Sequence, residues 1–171
     1  EDSNDGCVTL SHPIHNLQMI HITCEFDENM ILQADVSANR TNMQAMLLKK
    51  RYRAATSEED YIEQMETRMG VEIDEYEMSD MGQKDVIETY SFSKEVDNTA
   101  GLIYLNATVS PFMRESIFKQ QHRMLPVEFP FAEGNELRCL LKVPEGYAVE
   151  ELPESIQYNF GDSDIVFRYT V

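Results

Sequence analysis

The chain has 171 residues, of which 42% are hydrophobic and 26% are charged, and this balance predicts a folded domain rather than a disordered chain. Its 14 Lys and Arg residues against 31 Asp and Glu residues give a net charge of −17, which argues against nucleic-acid binding and against docking on an anionic membrane. No apolar run reaches the length of about 18 residues that a transmembrane helix needs, so we expect no transmembrane segment.

The first 11 residues are polar and acidic and predict a flexible lead-in to a single β-rich domain that spans residues 1–171. Hydrophobicity then alternates along residues 19–26 and again along residues 30–38, with turn-forming residues 27–29 between them. This pattern predicts a β-hairpin with one polar face and one apolar face. The predicted inward residues of its first strand are Ile20, Ile22, Cys24 and Phe26.

The hydrophobic period changes after residue 41 and predicts a helical hairpin over about residues 42–69. Ser57 is the predicted N-cap of the second helix, three acidic residues follow it, and Gly70 is the predicted terminator. The apolar stripe of the first helix is predicted at Met43, Met46, Leu47 and Lys50, and that of the second at Tyr61, Ile62, Met65 and Met69.

Further alternating segments predict strands at residues 71–78, 86–96, 101–109, 137–143 and 165–169. Their polar faces favour antiparallel sheets with one wet side over a buried parallel core. The predicted fold is therefore α+β and mostly β, an antiparallel sandwich-like domain with the helical hairpin inserted.

Two motifs in the C-terminal half carry a resemblance to a known family. They are the run Arg123-Met-Leu-Pro-Val-Glu-Phe-Pro130 and the run Pro144-Glu-Gly-Tyr-Ala-Val-Glu-Glu-Leu-Pro153. Together they resemble the β-rich domain of unknown function that follows the transglutaminase-like domain in Gram-negative bacterial cell-envelope proteins. The helical segment 45–68 and the run 101–105 also lie where that family has similar features.

The resemblance implies a non-catalytic accessory domain that packs against a transglutaminase-like catalytic domain of the same full-length protein. It also implies a periplasmic, cell-surface or secreted setting, and family members extend beyond the point at which this chain ends. The papain-like Cys-His-Asp arrangement of the catalytic domain is expected upstream of this region. We therefore expect no enzymatic activity in this chain itself.

The residues of the second motif suit structural roles. Val143-Pro144-Glu145-Gly146 predicts a type I turn, with Pro in the second position and Gly in the fourth. Tyr147 would then return to the sheet as an aromatic anchor.

A glycan- or peptide-binding module of the cell envelope is the alternative function. It predicts a concave aromatic patch that faces the ligand. The residues that we single out for this patch are Tyr104, Phe112, Phe129 and Tyr147.

The three cysteines fit neither a zinc knuckle nor a CxxC redox motif. Cys24 and Cys139 fall on inward positions of predicted strands, which favours two buried thiols, although a Cys24–Cys139 disulfide is open if the chain is exported. The redox state of Cys7 is equally open. A cysteine hydrolase that uses Cys24 with His122 is a further alternative, disfavoured because an apolar strand face suppresses thiol reactivity.

Metal sites are weakly indicated, and we expect no metal or cofactor. Cys7, His12, His15 and His21 hold the residue types of a zinc site, but Pro13 breaks the helical spacing that would aim both rings together. A calcium site at Asp162 and Asp164 is a hypothesis only, because calcium needs about six to eight oxygens around one point and the acidic clusters do not match an EF-hand loop.

Overall fold

A computed structural model describes residues 16–106, 131–161 and 165–171 of the chain. Two helices and nine strands follow one another along these ranges. They are β1 (Asn16–Phe26), β2 (Leu32–Arg40), α1 (Asn42–Ala54), α2 (Glu58–Met69), β3 (Ile73–Ser79), β4 (Val86–Lys94), β5 (Asn98–Thr99), β6 (Leu102–Ile103), β7 (Glu133–Leu141), β8 (Ile156–Phe160) and β9 (Ile165–Tyr169).

The main sheet has five strands in the order β3-β4-β2-β1-β7. Strands β1 to β4 pair antiparallel, as predicted, and β1 and β2 form the expected hairpin from Gln18↔Arg40 to Phe26↔Leu32. The prediction of an α+β, mostly β fold is confirmed. The structure differs in one strand direction, because β7 pairs parallel with β1. Alternating hydrophobicity reports which face a residue occupies and carries no information about strand direction.

One face of the sheet packs against α1 and α2, where the predicted sandwich would place a second sheet. Alternate residues of β1, β2 and β4 meet residues from both helices in one apolar core. Within it Phe92 and Val86 are fully buried, and so is Ala45 of α1. The helices can cover this face because each presents a row of apolar side chains at helical spacing.

The second helix begins and ends as predicted. The Ser57 hydroxyl accepts a hydrogen bond from the Asp60 amide at 3.2 Å, and Gly70 closes the helix with a φ of 69°. Its buried residues Tyr61, Met65 and Met69 belong to the predicted stripe. The side-chain cap and the left-handed glycine together fix both ends of α2.

The predicted stripe of the first helix is wrong. The buried residues of α1 are Ala45 and Leu48, whereas Met46 is 48% exposed and Leu47 is 38% exposed. Tyr52 continues the true row and packs against the core. The small side chain of Ala45 lets the helix approach the sheet closely, and this favours burial of the smaller residue over the larger methionine.

We predict that Phe92→Ala lowers the free energy of unfolding by about 3–5 kcal/mol, because it removes a fully buried aromatic ring from the core. Phe167→Ala is the matched control, since this ring on β9 is 47% exposed and its loss is expected to cost about 0.5 kcal/mol or less. Urea denaturation followed by circular dichroism measures both values. Equal losses in the two variants would contradict the described core.

Candidate functional site

The most prominent uncovered apolar surface in the described residues is one face of the β8–β9 hairpin. The strands pair antiparallel with Ile156 opposite Tyr169, Tyr158 opposite Phe167 and Phe160 opposite Ile165, so all six side chains share one face. We call this surface the hairpin face. Tyr169 is half-buried, the other members are 40–56% exposed, and Tyr158 stacks on Phe167 with ring centroids 6.5 Å apart.

The opposite face of the same hairpin is largely polar. Arg168 donates to Gln157 at 2.9 Å, and Gln157 donates to Asn159 at 3.0 Å. Among the described residues, β8 and β9 pair only with each other. A two-stranded hairpin with one polar face and one uncovered aromatic face is marginal in water on its own, so its apolar face calls for a covering layer.

Sequence reasoning found half of the hairpin face. The alternation along residues 165–169 predicts that Ile165, Phe167 and Tyr169 point one way, and the register places these residues on one face. The strand β8 was missed, although Ile156, Tyr158 and Phe160 alternate with polar residues and supply the signal that would have found it.

The predicted turn at residues 143–146 forms one residue later. The closing hydrogen bond runs from the Tyr147 amide to the Pro144 carbonyl at 3.1 Å, and Gly146 has a φ of 85°. Gly146 therefore occupies the third position, where a type II turn requires the positive φ that glycine adopts without strain. The expectation of a type I turn that starts at Val143 is wrong for this reason.

The structure describes two of the four predicted ligand-facing aromatics. Tyr104 is 77% exposed, directly after β6. Tyr147 is 37% exposed, and its hydroxyl accepts a hydrogen bond from Asn98 of β5 at 3.3 Å. Phe112 and Phe129 lie outside the described residues. The hydrogen bond holds Tyr147 beside the short β5–β6 ladder, the same part of the chain that leads to Tyr104.

The two described cysteines form a thiol pair across β1 and β7. Cys139 lies opposite Ile22 in the parallel register, and Cys24 is two residues further along β1, so both thiols lie on the same face of the sheet. Both are free thiols, and the hydrogen bond between them raises the pKa of Cys24, as does burial, while it lowers the pKa of Cys139 to about 7. Cys24 is buried as predicted. The prediction of a buried Cys139 is wrong, because β7 is the edge strand of the sheet and leaves this thiol exposed.

Neither thiol has a histidine partner within the described part of the chain. His21, the histidine described there, is exposed and lies three residues from Cys24, so alternation puts it on the opposite face of β1. His122, the proposed base of a cysteine hydrolase, lies outside the described residues.

The described ranges contain no group of three or more His, Cys, Asp or Glu side chains arranged to hold a metal ion. Of the residues weighed for metals, Cys7, His12, His15, Asp162 and Asp164 lie outside those ranges. No described helix combines the length and the apolar character needed to cross a membrane.

A buried charged centre lies at the middle of the structure, beneath α2. Glu88 of β4 is 2% exposed and accepts from Arg40 at 2.8 Å, from Tyr61 at 2.8 Å and from Tyr76 at 3.2 Å. Arg40 is 8% exposed and also donates from Nε to Gln18 at 2.8 Å. Sequence reasoning missed this centre. The sequence contains a signal for it, because Arg40 and Glu88 occupy the same alternate positions as the buried apolar residues of their strands.

The comparisons with known proteins concern the C-terminal part of the chain. Residues 101–171 match the family model described as "Domain of Unknown Function with solved-structure structure (DUF3858)". The matched range contains both motifs on which the resemblance rests, as well as β6 to β9. No curated protein and no solved structure matches the chain. The C-terminal part of the chain is thus similar to a domain family of unknown function, and the match states no activity.

We predict that Cys139 is alkylated by iodoacetamide much faster than Cys24 at neutral pH. Its lowered pKa makes a large fraction of the exposed thiol a thiolate, whereas burial protects the raised pKa of Cys24. Peptide mapping by mass spectrometry in a Cys7→Ser background measures the two rates. In Cys24→Ala, the pH at which alkylation of Cys139 becomes fast should move upward, because the hydrogen bond that lowers the pKa of Cys139 is gone. A pH profile that is the same with and without Cys24 would contradict the thiol pair.

We predict a steep loss of stability in alkali that depends on Tyr61. Burial, followed by the charge of Glu88, raises the pKa of Tyr61 and of Tyr76 above the unfolded value of about 10. The stabilisation is therefore complete below pH 10 and is lost above it, by about 1.4 kcal/mol per pH unit for each tyrosine. Urea denaturation at a series of pH values measures this slope. Tyr61→Phe should reduce the slope and the exposed control Tyr104→Phe should not, so equal slopes in both variants would refute the assignment.

Proposed function

We propose that this chain is a non-catalytic accessory domain that binds a transglutaminase-like catalytic domain of a bacterial cell-envelope protein through the hairpin face. The carrying observation is the uncovered aromatic face of β8–β9, whose six residues project from one side of a two-stranded ladder. Surfaces of this kind, rich in Tyr and Phe and free of charge, are typical of the centres of protein–protein contacts.

The difference in polarity between the two sides of the hairpin indicates which side a partner would contact. The polar side is internally hydrogen-bonded through Gln157 and Arg168, and it is suited to water. The apolar side is covered by none of the described elements, and its aromatic side chains are about half exposed, so a partner that covers one of them would bury roughly half of the 150–250 Å² that such a side chain offers. A partner that packs on this side would supply the covering layer that a two-stranded ladder lacks.

The sequence supports the choice of partner. The motifs at residues 123–130 and 144–153 resemble the domain that follows a transglutaminase-like domain, and both lie within the range that matches a domain of unknown function. The proposed setting is the periplasm or the cell surface, by the same resemblance. The main sheet, with its closed core, would serve as the rigid base that carries the hairpin.

A ligand-binding module for envelope glycans or peptides is the second candidate. The exposure of Tyr104 favours it, together with the hydrogen bond that fixes Tyr147 beside the β5–β6 ladder. Two aromatic side chains held near one short ladder could offer stacking faces to a sugar ring. This surface does not include the hairpin face, and the two proposals therefore predict different sensitive residues.

We predict that the chain binds the separately expressed transglutaminase-like domain of its full-length parent in a calorimetric titration. Phe167→Glu should weaken this binding by about tenfold or more, because it places an unpaired charge in the centre of an apolar contact. Val166→Glu is the matched control, since it adds the same charge one residue away on the opposite face of β9.

The outcomes separate the alternatives. Loss of binding in Phe167→Glu alone supports the proposal, whereas equal loss in both variants would place the contact elsewhere. A well-folded wild-type chain that does not bind would refute the catalytic domain as the partner. A titration with envelope glycans that depends on Tyr104 and is indifferent to Phe167 would then favour the second candidate.

A further inference from the structure

A cavity of about 210 Å³ lies between the two helices and the sheet, away from the hairpin face. Its lining carries more positive than negative side chains, although the whole chain has a net charge of −17. Arg40 of β2, Arg51 of α1 and Arg68 of α2 all line it, and Glu88 is the acidic residue among its described lining residues. We call this space the arginine cavity.

The charges in the cavity are not balanced. Arg40 pairs with Glu88, with 2.8 Å between Nη1 and Oε2, so the single carboxylate is already engaged. Arg51 and Arg68 form no ion pair with any described carboxylate. Glu88 is further occupied by the hydroxyls of Tyr61 and Tyr76. The lining therefore presents an excess of positive charge and donor groups that the described residues do not neutralise.

The position of Arg51 makes this excess costly without a ligand. Partial desolvation lowers the pKa of its guanidinium, and the charges of Arg40 and Arg68 lower it further, whereas Tyr61 and Glu88 act in the opposite direction without cancelling the shift. Like charges held together in a partly desolvated space repel one another, and an anion placed among them removes that cost. Both Arg51 and Arg68 are exposed to solvent, so a ligand can reach them from outside.

We propose that the arginine cavity binds a small oxyanion, namely the phosphate or carboxylate group of a low-molecular-weight ligand. Guanidinium groups are planar forks of donors that match both groups in a bidentate manner. Gln18 lines the same cavity, and its oxygen accepts from Arg40 Nε, which fixes the plane of that guanidinium. The volume suits a small anion rather than a large cofactor. This inference does not depend on the hairpin face or on its partner.

The test compares inorganic phosphate and malonate with sodium chloride at matched ionic strength, with the chain as it is. Calorimetry should give a saturable affinity for phosphate, malonate or both. The upward shift of thermal unfolding relative to chloride should saturate with anion concentration and be smaller in the Arg51→Gln/Arg68→Gln variant, because exclusion of these salts stabilises both proteins equally. A response to phosphate alone identifies a phosphate-bearing ligand, and a response to malonate alone identifies a carboxylate. No shift beyond chloride with either anion would overturn the proposal.

Matched variants locate the effect. Arg51→Gln should weaken anion binding by about tenfold, and the Arg51→Gln/Arg68→Gln double variant should abolish it. Arg53→Gln is the control, because it removes the same charge from the same helix. Arg53 lines a different cleft, together with Lys49 and Lys84. Equal weakening by Arg51→Gln and Arg53→Gln would overturn the proposal in favour of diffuse attraction to a basic helix. Arg51 and Arg68 are exposed, so circular dichroism is expected to show an unchanged fold in these variants.

Discussion

The buried carboxylate of Glu88 is the constraint on which the described sheet and its helices depend. An ionised carboxylate that is 2% exposed is tolerable only when its lone pairs are satisfied and its charge is matched. Its partners come from three other elements, since Arg40 ends β2, Tyr61 lies in α2 and Tyr76 lies in β3. Glu88 therefore fixes the height of α2 above the sheet as well as the order of β3, β4 and β2. Moving any one of these elements would leave a charge or a hydroxyl without its partner.

The strands and helices around Glu88 bury their apolar side chains against one another, whereas the hairpin that follows β7 leaves its apolar face exposed. From β1 to β4, alternate strand residues and the helices enclose one another, and the core contains Ile22, Phe92 and Leu48. In β8 and β9 the same alternation produces an aromatic face, yet no described element covers it. The core of β1 to β4 and the helices stabilises the fold, whereas the hairpin face is the surface that we propose for contact with a partner. The thiol pair lies on the parallel pairing of β1 with β7, where the C-terminal part of the chain joins the main sheet.

Sequence patterns were sufficient where a local interaction decides the structure. The Ser57 cap, the Gly70 terminator and the β1–β2 register depend on a few neighbouring residues and were predictable. The exposure of Met46 was not, because the orientation of α1 depends on how closely Ala45 approaches a sheet whose strands come from distant parts of the chain. The parallel direction of β7 and the exposure of Cys139 likewise follow from strand order, which alternation does not encode. The charged centre was predictable only in part, since alternation places Arg40 and Glu88 on inward faces of their strands but does not reveal that β2 and β4 are neighbours.

Glu88 also connects the fold to the chemistry of the arginine cavity. By pairing with Arg40 and accepting from two tyrosines, it uses its acceptor sites within the core and leaves Arg51 and Arg68 without a carboxylate among the described residues. The rigidity that stabilises the fold therefore also keeps the cavity positive, even though the whole chain carries a charge of −17. The net negative charge of the chain opposes the approach of every anion, and it does so more strongly as the charge of the anion grows, so a small anion reaches the guanidiniums at a lower electrostatic cost than a polyanion does.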